Sequence, residues 1–153
     1  MCHCTSWIQQ SLSFKSRARI VREAVKRLRP LSDQFTHVAL SGYSGSIIGS
    51  IVAQKMKKDV VIVRKDVDHE VRASSYGFEH DSTIDGYVFI DDFISTGSTL
   101  KRVTGALGPD KLIAIYTYYF KLTTHRITDK NDIGKFLKGY MPIVLTPVDK
   151  ECR

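Results

Sequence analysis

The chain has 153 residues, 42% of them hydrophobic and 25% charged, with a formal net charge of +7. These are the proportions of one soluble globular domain long enough to bury a core. No apolar run approaches the roughly 20 residues of a membrane span, and Ser, Gln, Lys and Arg interrupt the N-terminus where a secretory leader would need an apolar centre.

The cysteines, Cys2, Cys4 and Cys152, lie near the two ends. An odd number so placed is a poor disulfide framework, and a reducing cytoplasm is the expected compartment. Cys2-His3-Cys4 lacks the Cys-x-x-Cys spacing and the second ligand pair of a zinc site, so a frayed tail with free thiols is the simpler reading. The charge is uneven. Residues 1–30 carry Lys15, Arg17, Arg19, Arg22, Lys26, Arg27 and Arg29 against one acid, Glu23, and so account for +6 of the +7.

Residues 15–29 read as an amphipathic helix with Ile20, Ala24 and Leu28 four apart, closed by Pro30. Its arginines are a solvated outer face, an attraction for a polyanion or partner surface, or a nucleic-acid contact. Residues 36–40 read as a buried strand running into Ser41-Gly42-Tyr43-Ser44-Gly45-Ser46, expected as a loop, with a helix over residues 47–56. A loop of Gly and Ser between strand and helix is a candidate anion cradle, although small residues also serve close helix–sheet packing. Residues 59–63 form a continuous apolar run of the kind buried on both faces of a parallel sheet. Residues 64 to about 85 are long and poor in apolar side chains, which suits a functional loop or a solvated charged turn.

Asp85-Gly86 then introduces Tyr87-Val88-Phe89-Ile90, a short buried strand with Asp91 and Asp92 at its carboxyl end. Phe93-Ile94-Ser95-Thr96-Gly97-Ser98-Thr99 follows, and residues 100–107 have the composition of a helix. Backbone N–H groups at a helix start, joined by Ser and Thr hydroxyls, can wrap a phosphate. Gly97 permits a positive φ and a close ligand. Two carboxylates beside that cradle can accept hydrogen bonds from sugar hydroxyls or face a Mg²⁺ ion. An ordinary strand–turn–helix with capping Asp and Ser would carry the same residue types. A Walker A loop is excluded, since no Gly-x-x-x-x-Gly-Lys-Ser/Thr occurs.

The stretch 87–99 resembles the PRPP-binding motif of the type I phosphoribosyltransferases: four apolar positions, two acids, then a spacer into Thr-Gly-x-Thr. The resemblance covers roughly residues 36–120 and is specific at 87–99. It implies an α/β fold, a Rossmann-like core with a five-stranded parallel sheet. The chain would be a single domain, with core at about 30–120 and a small hood over the base from residues 1–29 and 121–153. It implies a Mg²⁺-dependent enzyme that transfers ribose 5-phosphate from PRPP to a nucleobase and releases pyrophosphate, with a purine favoured over orotate. By the same match Ser95, Thr96, Gly97, Ser98 and Thr99 would hold the 5-phosphate. Asp91 and Asp92 would be catalytic and face the metal, directly or through water and ribose hydroxyls. Ser41, Gly42, Tyr43, Ser44, Gly45 and Arg64 would bind pyrophosphate, and Lys65 and His69, with Arg64 and Arg72, would belong to a lid bringing cations to the leaving group. The 41–46 loop departs from the family in having no Arg or Lys. The resemblance also implies a homodimer and no membrane partner. Its alternative is a PRPP-binding regulator or inactive homologue that binds nucleic acid or a partner through the basic N-terminal helix.

Beyond the motif, Gly108-Pro109-Asp110 breaks the helix, and residues 111–120 read as a strand ending in Tyr116, Tyr118, Tyr119 and Phe120. Those aromatics either stack on a flat base or pack as core. Residues 130–138 are expected as a short helix and residues 141–147 as an extended segment.

Overall fold

The computed structural model describes residues 12–64, 78–94, 96–119 and 143–145. A six-stranded sheet runs through it, with helices on both faces. The elements in chain order are α1 (Phe14–Leu28), β1 (His37–Leu40), α2 (Gly42–Met56), β2 (Asp59–Val63), β3 (Phe78–Glu79), β4 (Tyr87–Asp91), α3 (Ser98–Leu107), β5 (Leu112–Thr117) and β6 (Ile143–Leu145). The strand order is β3-β2-β1-β4-β5-β6. The pairs β1–β2, β1–β4, β4–β5 and β5–β6 are parallel, which gives the expected five-stranded parallel core, and β3 adds an antiparallel edge.

Strand alternation divides the core in two. From β4, Val88 and Ile90 turn to the face covered by α1 and α2, where Ile20, Ala24, Leu28, Ile48 and Val52 meet them. Tyr87 and Phe89 turn to the other face, against Leu100, Val103 and Leu107 of α3. All five residues of β4 are buried, as a central parallel strand requires. The strand at residues 59–63, read as buried on both faces, is so only in part: Val61 and Val63 are covered, but Ile62 is 41% exposed because β2 lies next to the sheet edge. The hood segments lie largely outside the described residues; their described helix, α1, packs its apolar stripe into the core.

The amino-terminal end of the sheet is tied by polar contacts. His37, fully buried, hydrogen-bonds through Nδ1 with Thr36 Oγ1 (2.8 Å) and through Nε2 with Ser82 Oγ (3.2 Å). Ser82 Oγ donates to Asp59 Oδ2 (2.8 Å), so the neutral ring carries its proton on Nε2 and accepts on Nδ1. These bonds pin the segment before β4 beneath β1 and β2. Burial holds the His37 imidazole below its ordinary pKa.

Candidate active site

The parallel strands follow the order β2-β1-β4-β5-β6, and the chain's direction of travel across the sheet reverses between β1 and β4. The crevice outside the carboxyl ends of such a strand pair is where open α/β sheets hold ligands. A cleft of about 210 Å³ lies there, lined from β1 and α2 by Ser41 and Ser44, and from β4 onward by Phe89, Asp91 to Ile94 and Thr96 to Leu100.

The β1 side differs from the expected loop. Helix α2 starts at Gly42, so the segment 41–46 is one linking residue and the first turn of a helix. Close packing explains the small residues. A Cβ on Gly45 would stand 2.7 Å from the Ile90 carbonyl oxygen, and one on Gly49 would collide with Leu40. Glycine lets α2 lie against the strands, which brings Ser44 to Asp91. Gly42 supplies the positive φ (79°) that turns the chain from strand into helix. Of the residues expected to bind pyrophosphate, Ser41 and Ser44 line the cleft. Gly42, Tyr43, Gly45 and Arg64 do not, and Tyr43 is 83% exposed.

Asp91 ends β4 with only 7% of its surface exposed. Its Oδ1 accepts from Ser44 Oγ (3.2 Å) and from the Asp92 N–H (2.9 Å). Asp92 is half-buried, and its Oδ1 accepts the Phe93 N–H (2.9 Å). Burial first, then the neighbouring Asp92 carboxylate, push the Asp91 carboxyl up from 3.8 to about 8. Asp91 is thus a weak acid able to hold or accept a proton near neutral pH. The structure also supplies a support with no signal in the sequence: Tyr118, from just beyond β5, donates its hydroxyl to the Ser44 carbonyl (3.0 Å), while its N–H donates to the Asp91 carbonyl (3.3 Å). Tyr116 and Tyr118 are therefore buried core aromatics and not a surface for a base.

Beyond Asp92 the chain passes through Gly97 (φ 77°) into α3. Thr96 Oγ1 donates to Ser98 Oγ (3.1 Å) and accepts the Ser98 N–H (3.4 Å). Neither α2 nor α3 has a side-chain bond from its N-cap residue, Ser41 or Gly97, and neither has an acid in its first turn. Two helix starts, each with partial positive charge and no side-chain bond from its N-cap residue, therefore open on one cleft. The Ser41 Oγ is buried there with no hydrogen-bond partner among the described residues. That orphan calls for a partner beyond the described residues, a role a bound ligand or water can fill.

Thr96, Gly97, Ser98 and Thr99 are thus gathered with Asp91, Asp92, Ser41 and Ser44. Ser95, Lys65, His69 and Arg72 lie outside the described residues, as do the expected helix at 130–138 and the three cysteines. Among the described residues no three His, Cys, Asp or Glu side chains cluster as a metal cage. Asp91 and Asp92 both line the cleft, and a carboxylate pair of this kind fits Mg²⁺ completed by substrate oxygens and water.

No protein-family model matches the chain. Sequence relatives do. An adenine phosphoribosyltransferase of Pseudomonas syringae pv. syringae is 31% identical over 99 residues, which cover 56% of this chain and 53% of the relative. Another, from Stutzerimonas stutzeri, is 33% identical over 85 residues, 47% of each chain. The chain thus spans about half the length of the curated relatives it matches. Among solved structures, orotate phosphoribosyltransferase from Aeropyrum pernix superposes with a TM-score of 0.61 at 11% identity, over 88% of this chain and 71% of that one. The Giardia lamblia APRTase complexed with 9-deazaadenine gives 0.61 at 16% identity, over 89% and 80%. At these identities the structural likeness establishes the fold.

Proposed function

We propose that the chain is a type I phosphoribosyltransferase, transferring ribose 5-phosphate from PRPP to a nucleobase and releasing pyrophosphate, a reading supported by its adenine phosphoribosyltransferase relatives and by the shared fold. The observation that carries this reading is the meeting of two uncapped helix starts with an aspartate pair in one cleft. The reaction needs that combination. Departure of pyrophosphate leaves an electron-poor ribose carbon, so negative charge must be met on one side and positive charge on the other.

The start of α3, with the Thr96, Ser98 and Thr99 hydroxyls, would anchor the 5-phosphate and fix the reacting carbon through binding energy spent away from it. The start of α2, with Ser41 Oγ and Ser44, would receive the pyrophosphate. Asp91 and Asp92 would hold the ribose hydroxyls and the metal. Bound Mg²⁺ would neutralise charge on the leaving pyrophosphate. Whichever aspartate lies nearer the base would take the proton that the base loses. Among the described residues the cleft lining contains no Lys or Arg, so further cations for the leaving group would come from Arg64, Lys65 and His69. A purine acceptor is favoured because the sequence relatives above are adenine phosphoribosyltransferases.

The test is pyrophosphate release from PRPP with Mg²⁺ against adenine, hypoxanthine, guanine, xanthine, orotate, uracil and nicotinamide, with Asp92→Asn as control. Base-dependent release that the substitution lowers by about a hundredfold or more supports the reading. No release with any base, while PRPP binding persists by calorimetry, overturns it in favour of a PRPP-binding protein without turnover.

A further inference from the structure

The strongest feature outside the cleft is the outer face of α1. Its apolar residues Ile20, Val21, Ala24 and Leu28 are buried in the core. Lys15, Arg19, Arg22, Lys26 and Arg29 are all exposed and recur at intervals of four, three, four and three residues. At 3.6 residues per turn these five fall within an arc of about 80°, centred roughly opposite the buried stripe. Arg29 continues the helical backbone (φ −54°, ψ −41°), so the row is unbroken. At about 1.5 Å per residue it extends about 21 Å, one cation every 4.5–6 Å or so. The one acid on the helix, Glu23, is engaged at the flank by Arg27 (3.0 Å). None of the five lines the cleft, so the row is not substrate-binding machinery of that site.

We propose that this row is a docking track for the phosphate backbone of a polynucleotide. Charge complementarity supports that occupant: one sign, a regular rise, and side chains long enough for each to reach a separate phosphate. Other partners fit less well. An amphipathic helix binds a bilayer by sinking its apolar face, and here that face is already spent on the core. A protein interface centres on an apolar or aromatic cluster and is depleted in lysine, whereas this arc has cations at its centre. Residues 31–153 together carry only +1, so the net charge is concentrated at and beside this helix. The inference stands apart from the proposed transferase activity.

The experiment is fluorescence anisotropy with the full chain and labelled single-stranded DNA, single-stranded RNA and duplex DNA of about 20 nucleotides, titrated across KCl concentrations. Five neutralised phosphates give a log–log salt slope of about −3.5 for single strands or about −4.5 for duplex, a loss of roughly 130- to 500-fold between 50 and 200 mM salt. Replacing all five residues by Gln should abolish binding, and each single replacement should flatten the slope by about 0.7 to 0.9. Circular dichroism, with an unaltered thermal midpoint, verifies that these exposed substitutions leave the fold intact. Absence of binding to every probe at 50 mM KCl overturns the proposal. Binding whose slope the substitutions do not change overturns it too, as does equal or tighter binding to phosphatidylserine vesicles.

Discussion

Asp91→Asn should make the protein more stable and less active at once. The folded protein holds the Asp91 carboxyl near 8, whereas the unfolded chain holds it near 3.8. Below about pH 4 the group is protonated in both states and costs nothing. As pH rises from there the unfolded chain gives up its proton first, so the folded state loses ground until about pH 8 and keeps that handicap above it. At pH 7 the handicap amounts to at most about 4 kcal/mol, from 1.36 kcal/mol per unit over roughly three units. Asparagine mimics the protonated acid: its oxygen can accept from Ser44 Oγ and the Asp92 N–H, while its NH₂ takes the place of Oδ2. Urea denaturation followed by far-UV circular dichroism, at intervals from about pH 4 to pH 8.5, measures the difference. The variant should gain on the wild type steadily as pH rises and match it near pH 4. A variant no more stable than the wild type at pH 7, or a gain independent of pH, would refute a carboxyl held in strain by burial.

Gly45→Ala places a Cβ 2.7 Å from the Ile90 carbonyl oxygen and should destabilise the fold by about 1–3 kcal/mol in the same urea assay, since α2 must move off the strand. An unchanged midpoint would mean that α2 does not lie where Gly45 puts it. His37→Gln tests the opposite end of the sheet. Burial depresses the folded-state pKa of His37, so its contribution is complete above about pH 6.5 and fades as pH falls below that value through the unfolded pKa. The wild type should lose more stability than the Gln variant between about pH 7 and pH 5, and equal losses would refute the assignment.

The strands were legible because parallel strands are covered on both faces and leave continuous apolar runs. Residues 87–90 and 59–63 correspond to β4 and β2 almost to the residue, and residues 36–40 and 111–120 to β1 and β5 with ends shifted. The acids at the end of β4 and the turn into α3 were legible as well, since they follow a continuous apolar run and precede a stretch of helical composition. Three things were not. Gly42, Ser44, Gly45 and Ser46 have the composition of a loop, yet they form helix because tertiary closeness to Ile90 and Leu40, which no local pattern encodes, selects small residues there. Strand β3 has two residues and one apolar side chain, Phe78, too little for any periodicity to show. Tyr118 reaches Ser44 across 74 residues of chain, a contact that strand order creates and spacing cannot.

The unfinished starts of α2 and α3 set stability and recognition against each other. An Asp at position 41 or 98 would be the ordinary remedy for a bare helix start and would raise melting temperature. On the proposed function it would also lay a carboxylate where a phosphate would sit, making the protein its own competitive inhibitor. Selection for a sturdier fold alone would therefore drift toward a self-blocked cleft.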